Sequence, residues 1–425
     1  MDHGVSSWQG FLEHAEMTDV GLRRANNQDS YGLQLAGSEE NWQRRGHLFV
    51  VADGMGAHAA GELASKLAVD TVTLNYYKTP EGSASDALRA AVVSANSKIH
   101  NTGEDNSDFR GMGTTCSVLL FLPSGAVAAH VGDSRVYRLR GNKVEQISRD
   151  HSLVWEMMAQ RNVTETEITG YVPKNIITRS LGPAPDVTVD LEGPYPLETG
   201  DTFLLCSDGL SGQVRDEEIG AILNVLSPTE AARVLIDLAN LRGGPDNITV
   251  IVAKVNQTDP RWSSQSASKS KRGSVHLLVW VAMGVFAMLA GFMWMSKQLA
   301  IAVGAGVMSL GAMAAAAWQW LGLSSAGSTV AIRSTLGGGP YRTYDATPTL
   351  RLIEGFQQLI EPVCQTAQQQ QWAIDWSGYE KLHKSMQANV EKQDYAAALR
   401  DICRAIAFLM QEVRNQRDQD SDESA

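Results

Sequence analysis

Three short runs of β-branched and aromatic residues end in an aspartate at a turn, and a fourth begins with one. LFVVA (48–52) leads into Asp53-Gly54-Met55-Gly56, AVAAHV (126–131) into Gly132-Asp133-Ser134-Arg135, and TFLLC (202–206) into Ser207-Asp208-Gly209. Asp246-Asn247 opens ITVIVAKV (248–255). In an antiparallel arrangement the end of one strand and the start of its neighbour share an edge, so carboxylates distant in sequence converge on one rim. Asp29, before the short strand SYGLQL, is placed to join them. Further strands at 115–122 and 135–140 and helical patterns at 59–78, 84–102 and 228–241 lie in separate blocks, which predicts α+β layers around antiparallel sheets.

Clustered carboxylates repel one another unless protonated or bound to cations. The four cysteines, Cys116, Cys206, Cys364 and Cys403, are scattered with no CxxC, and read as buried thiols in a reducing compartment. All-oxygen ligation without a Cys/His set favours Mg²⁺ or Mn²⁺ over structural zinc. Two such ions a few ångströms apart can share a water, lower its pKa and supply the nucleophile for in-line attack on phosphorus. Any one Asp-Gly is more often a turn than a ligand, so the weight rests on the ordered set. The net charge of −11 and pI of 5.3 argue against a nucleic-acid partner, which needs a basic field.

The ordered motifs are Arg24–Asp29 (RANNQD), Asp53–His58 (DGMGAH), Gly111–Thr115 (GMGTT), Gly132–Arg135 (GDSR), Asp150–Ser152 (DHS), Ile177–Gly182 (ITRSLG), Ser207–Leu210 (SDGL) and Asp246–Thr249 (DNIT). In this order they resemble the bacterial form of the type-2C (PPM) metal-dependent protein phosphatases. The resemblance implies an α-β-β-α sandwich of two antiparallel sheets flanked by helices, and hydrolysis of phosphoserine and phosphothreonine on proteins. It implies that two Mn²⁺ or Mg²⁺ ions are held by Asp53, the Gly54 carbonyl, Asp208 and Asp246. Asp29 would orient water from behind, Asp133 would help form a weaker third ion site, and Arg24 would grip the substrate phosphate. Arg135 is expected to brace Asp133 or a loop carbonyl, and Arg179 and Asp150 to organise the sheet edge. Residues 155–176 correspond to the flap beside the site. Two departures stand out: Ala57 replaces a glycine before His58, and Met55 stands where many eukaryotic members carry a histidine. His58 reads as packing or capping the following helix.

Composition divides the rest. Residues 1–14 read as an N-terminal extension, 15–255 as the phosphatase domain and 256–274 as a polar linker ending in Lys269, Lys271 and Arg272. Runs 275–295 and 299–318 reach the roughly 20 residues that cross a bilayer. They predict two transmembrane helices within 275–322. The basic flanks, with only Lys297 between the runs, place the catalytic domain and tail on the cytoplasmic side. Residues 323–347 read as a flexible linker, 348–414 as a helical tail and 415–425 as disordered. In the tail, Leu399, Ile402 and Ile406 form a stripe that either docks a partner or closes the tail's own core. Expected partners are phosphoproteins, a Ser/Thr kinase and its substrates, and the membrane. The alternatives to a general phosphatase are one dedicated to a single regulator and a catalytically dead tethered scaffold. Because every aspartate of the set precedes the linker, residues 1–258 are expected to be active alone.

Overall fold

The computed structural model describes residues 10–56, 59–78, 82–161, 172–173, 176–257 and 336–423. The expected strands form within a few residues of their anticipated bounds. They are β3 (His47–Met55), β5 (Cys116–Leu122), β6 (Gly125–Val131), β7 (Arg135–Arg140), β10 (Thr202–Cys206) and β11 (Ile248–Val255). To these the chain adds β1 (Leu12–Asp19), β2 (Asp29–Gln34), β4 (Gly113–Thr114), β8 (Lys143–Gln146), β9 (Asp190–Tyr195) and β12 (Arg342–Asp345). One antiparallel sheet runs β1-β11-β10-β7-β8-β12 and the other β2-β3-β5-β6-β9, with β4 pairing β3.

Strands β5, β6 and β10 are buried on both faces, so they read as near-continuous apolar runs. Phe49, Val51, Leu119, Phe121, Val136, Phe203, Leu205 and Ile251 form one core cluster contributed by strands of both sheets. On the outer face of the second sheet lie helices α2 (Ala60–Lys78) and α3 (Ala84–Asp105), whose buried alanines and valines pack on Leu48, Val50, Val118 and Leu120. Helix α1 (Glu39–Arg45) precedes β3, and α4 (Leu153–Arg161) and the single turn α5 (Asp208–Ser211) follow β8 and β10 in the chain. The first sheet is covered by α6 (Asp216–Val225) and α7 (Pro228–Leu241). Helix α7 starts in a capping box: the Ser227 hydroxyl receives the Glu230 N–H, and the Glu230 carboxylate receives the Ser227 N–H.

The C-terminal helices are α8 (Leu350–Gln369), α9 (Trp376–Glu391) and α10 (Tyr395–Glu423). Leu399, Ile402, Ile406 and Leu409 of α10 are fully buried, in one cluster with Ile219, Ile222 and Leu235 of α6 and α7. The stripe therefore packs on the catalytic domain as well as on α8 and α9. Arginines on α10 fix the contact: Arg400 Nε donates to the Val225 carbonyl at the end of α6 (3.0 Å), Arg404 pairs with Glu230 (2.8 Å), and Arg414 reaches the buried Asp237. A cation at a helix C-terminus meets unsatisfied carbonyls, so the first of these is favourable in kind as well as geometry.

Several expectations are corrected here. Leu12, inside the expected extension, already pairs with Val255. Within the expected flexible linker, Arg342–Asp345 is the edge strand beside β8, and Leu336 bridges Gly193. Helix α10 continues to Glu423, into the segment expected to be disordered. Among the described residues no helix is long and apolar enough to cross a membrane. The longest carry charges along their length, as α8 does at Arg351, Glu354 and Glu361. This overturns the expected multi-pass membrane localisation; the apolar runs 275–295 and 299–318 lie outside the described residues, as do Ala57, His58 and most of the flap.

Candidate metal centre

The rim forms where β2, β3, β10 and β11 meet. Asp29 and Asp53 are paired across β2 and β3, and Cys206, next to the Ser207-Asp208 turn, is paired with Val250 of β11. The glycines after two of the aspartates act through close approach. A Cβ on Gly54 would lie 2.0 Å from the Gly61 carbonyl oxygen and 2.6 Å from that of Gln28, and one on Gly209 would lie 2.0 Å from that of Asn247. Each Asp-Gly thus lets a neighbouring backbone press against the rim.

Hydrogen bonds lock the loops. Thr115 Oγ1 receives the Asp53 N–H (2.9 Å), the Thr115 N–H donates to the Asp53 carbonyl (2.8 Å), and Thr114 Oγ1 donates to that carbonyl as well. This is what the GMGTT motif does. Asn247 ties the first motif to the last: its Oδ1 accepts from Gln28 N–H (2.8 Å) and its Nδ2 donates to the carbonyls of Val20 and Asn26. Ser207 Oγ donates to Asp29 Oδ2 (2.7 Å) and receives the Thr249 N–H. Neither Asn247 nor Ser207 stood out in the sequence, although both sit inside the SDGL and DNIT motifs.

Asp53 and Asp208 lie within hydrogen-bonding reach of each other, while Arg24 Nη2 donates to Asp246 Oδ2 at 2.8 Å. Among the described residues no three carboxylate, histidine or cysteine side chains stand close enough to form a ligand group. Asp29 Oδ1, Asp133 Oδ1 and Asp208 Oδ1 are nonetheless buried without a hydrogen-bond partner. Burial, and then neighbouring acids, push Asp29 up to about 7 and Asp133 to about 8, and also raise Asp53 and Asp208. Buried oxygens that lack donors and resist ionising together suit a hard divalent cation, which supplies the missing charge. The donor set fits Mn²⁺ or Mg²⁺.

Arg24, Asp53, Gly54, Asp208 and Asp246 line a cavity of about 250 Å³ with Ile177. Asp133 lies in an adjoining cavity of about 140 Å³ that shares Asp208 and also holds Asp150, Trp155 and Arg342. Arg135 does not brace Asp133: it forks onto Asp150 (Nε to Oδ1 3.1 Å, Nη2 to Oδ2 2.7 Å) and meets Asp216 and Tyr137. Arg179 pairs with Asp190 (2.7 Å), which also receives His151 Nε2.

Behind Asp133, His130 is buried, with Nδ1 at 2.9 Å from Ser117 Oγ and Nε2 donating to the Gly132 carbonyl. Burial, and then the neighbouring His151, pull it down to about 4. The unfolded chain therefore binds this proton more readily, and folding loses stability on the order of 3 kcal/mol as pH falls from about 6.5 to 4. The buried acids have the opposite slope, being less costly once protonated. Denaturant unfolding of chelated wild type and His130→Gln at pH 7 and pH 4.5 separates the two, with the wild type expected to lose more; equal losses would remove His130 from the account.

The sequence profile of protein phosphatase 2C matches residues 23–238. The protein phosphatase PhpP of Streptococcus pneumoniae is 36% identical over 254 residues, 58% of this chain and 99% of PhpP. The chain belongs to the protein phosphatase 2C family. The serine/threonine protein phosphatase PstP of Mycobacterium tuberculosis is 39% identical over 249 residues, 58% of this chain and 46% of PstP. Two solved structures each cover 58% of this chain. The Streptococcus agalactiae serine/threonine phosphatase superposes with a TM-score of 0.53 at 35% identity over all of its own chain, and the PstP catalytic domain with two manganese ions with 0.50 at 37% over 99%. The chain is a metal-dependent serine/threonine protein phosphatase that uses two Mn²⁺ or Mg²⁺ ions.

Proposed function

We propose that Asp53, Asp208 and Asp246, with the Gly54 carbonyl, hold the two ions of this phosphatase, that Asp133 serves a third and weaker one, and that Asp29 orients the attacking water from behind. The carrying observation is the set of buried carboxylate oxygens without partners, Asp29 Oδ1, Asp133 Oδ1 and Asp208 Oδ1, on the rim where four distant motifs meet. When bound, the ions supply a nucleophilic water at neutral pH and neutralise charge on the phosphoryl group. Ser207 and the β2 backbone hold Asp29 in place, so its free oxygen is aimed before substrate arrives. Met55 offers no proton, which leaves protonation of the leaving group to water. The substrates are phosphoserine and phosphothreonine of proteins phosphorylated by a Ser/Thr kinase that this enzyme opposes.

Arg24 is the phosphate grip. Its side chain is half exposed and lines the same cavity as the three aspartates. Asp246 cannot serve Arg24 and an ion equally, so ligation by Asp246 leaves the guanidinium's planar donors to a phosphate. Arg24→Ala is expected to raise KM about tenfold with a smaller change in kcat, because the charge meets phosphate already in the ground state. A large kcat loss at unchanged KM in steady-state assays with manganese would contradict this role.

A further inference from the structure

Strand β12 comes from beyond the matched region 23–238, yet it reaches the cavity next to the ions' rim. Its anchor is Glu192, which is buried and accepts from the Gly339 N–H (2.9 Å), the Tyr341 hydroxyl (2.6 Å) and the Gly338 N–H (3.4 Å). Four ladder positions against β8 then fix the strand. Its first residue, Arg342, lays its guanidinium carbon 4.2 Å from the centroid of the Trp155 ring and Nη2 3.8 Å from Met158 Sδ. Tyr341 meets the same ring edge-on at 6.2 Å. Trp155 and Met158 belong to α4, which opens the flap segment 155–176.

Trp155 and Arg342 line the 140 Å³ cavity with Asp133, Asp150 and Asp208. That cavity adjoins the Arg24 cavity through Asp208. A polypeptide that leaves the Arg24 cavity on the Asp208 side meets Trp155. Asp150 is paired with Arg135, and Arg342 adds a second cation to the lining of this cavity, which favours an anionic phosphoprotein.

Resting on the site assignment above, we propose that Arg342 is a positioning residue for phosphoprotein substrates: delivered by the C-terminal edge strand, it holds Trp155 as the wall against which the polypeptide flanking the phosphorylated residue lies. The wall is fixed before binding, so less ordering is lost when substrate docks. A cation over an indole face is worth enough to change affinity severalfold, and lysine retains part of it while methionine, of similar bulk, retains none.

The test uses the full chain with manganese, a phosphothreonine peptide and p-nitrophenyl phosphate. Arg342→Met is expected to raise the peptide KM about five- to tenfold with kcat within about twofold, and to shift the aryl phosphate KM less. Arg342→Lys is expected to recover most of the peptide KM. Trp155→Ala is expected to match Arg342→Met, and the double variant to add little to either, because the two act as one unit. An unchanged peptide KM, equal shifts for both substrates, or a kcat that falls in step with the melting temperature would each overturn the proposal and leave a packing contact. The ligand assignment fails by a different result, namely activity surviving replacement of Asp53 or Asp208.

Discussion

Replacing Asp208 or Asp53 by asparagine is expected to lower kcat by at least about 10²-fold on any substrate, the order found when one fixed electrostatic group is taken from a site. The same substitutions are expected to raise the melting temperature of the chelator-treated protein. Both effects come from the same carboxylates. Asp208 Oδ1 is buried without a partner, Asp53 lies beside it, and burial with the neighbouring acids disfavours ionisation of both. Asparagine has nearly the same shape and no charge, so the repulsion goes while the packing stays. The measurements are turnover with manganese and thermal melting in chelator. Retained turnover in either variant would sink the ligand assignment, and a lowered melting point would show that these side chains hold the fold together. A scaffold that merely binds phosphoproteins would lose nothing in the first assay.

Ending the chain after residue 258 is expected to give a folded domain that melts roughly 5 °C lower or more and self-associates. PhpP, matched over 99% of its length to 58% of this chain, has little beyond the matched part, so the fold does not depend on such a tail in every relative. Here, however, α6 and α7 have been given an apolar outer face. Ile219, Ile222 and Leu235 share their cluster with Leu399, Ile402 and Ile406, and each such side chain is worth about 1.5–3 kcal/mol when fully buried. Truncation also removes β12 from its sheet and Arg414 from Asp237. Analytical ultracentrifugation and melting of the fragment against the full chain are the checks. A monomer as stable as the full chain would mean that the tail lies on the domain without supporting it. The expectation that residues 1–258 stand alone considered where the aspartates lie and not what covers the helices beneath them.

The sequence disclosed the catalytic strands because they are short, apolar, rich in β-branched residues and bounded by turns. The rule that strand ends share an edge anticipated a common rim, and Asp53, Asp208 and Asp246 line one cavity there with Asp29 opposite Asp53 across β2 and β3. What the sequence concealed was partnership. Arg135 could have served Asp133, two residues away; it serves Asp150, because the β7–β8 hairpin carries that acid back beside it. The stripe on α10 announced that a face would be buried, but periodicity never names the surface that buries it. β12 is illegible for another reason. RTYD has a polar composition, its pairing is made by backbone groups, and its anchoring turn depends on Glu192, about 150 residues earlier. The membrane expectation rested on the length and lack of charge of two runs and on their basic flanks, and the helices the structure describes do not bear it out.

The way the chain leaves and rejoins the catalytic body gives it a mechanical asymmetry. Residues 258–335 depart just after β11 and return at Leu336, so any load they carry enters the body at two points. β11 resists along eight residues between two neighbouring strands, with Asp246 and Asn247 just before its far end. β12 resists along four residues on a single side. A pull at Leu336 must first break its bridge to Gly193 and the Glu192 anchor; Arg342 is then the first residue of the β8 ladder to lift, on a strand that carries none of the aspartates. The wall beside Trp155 is therefore tied to the point at which the chain returns to the body, and the metal centre is not.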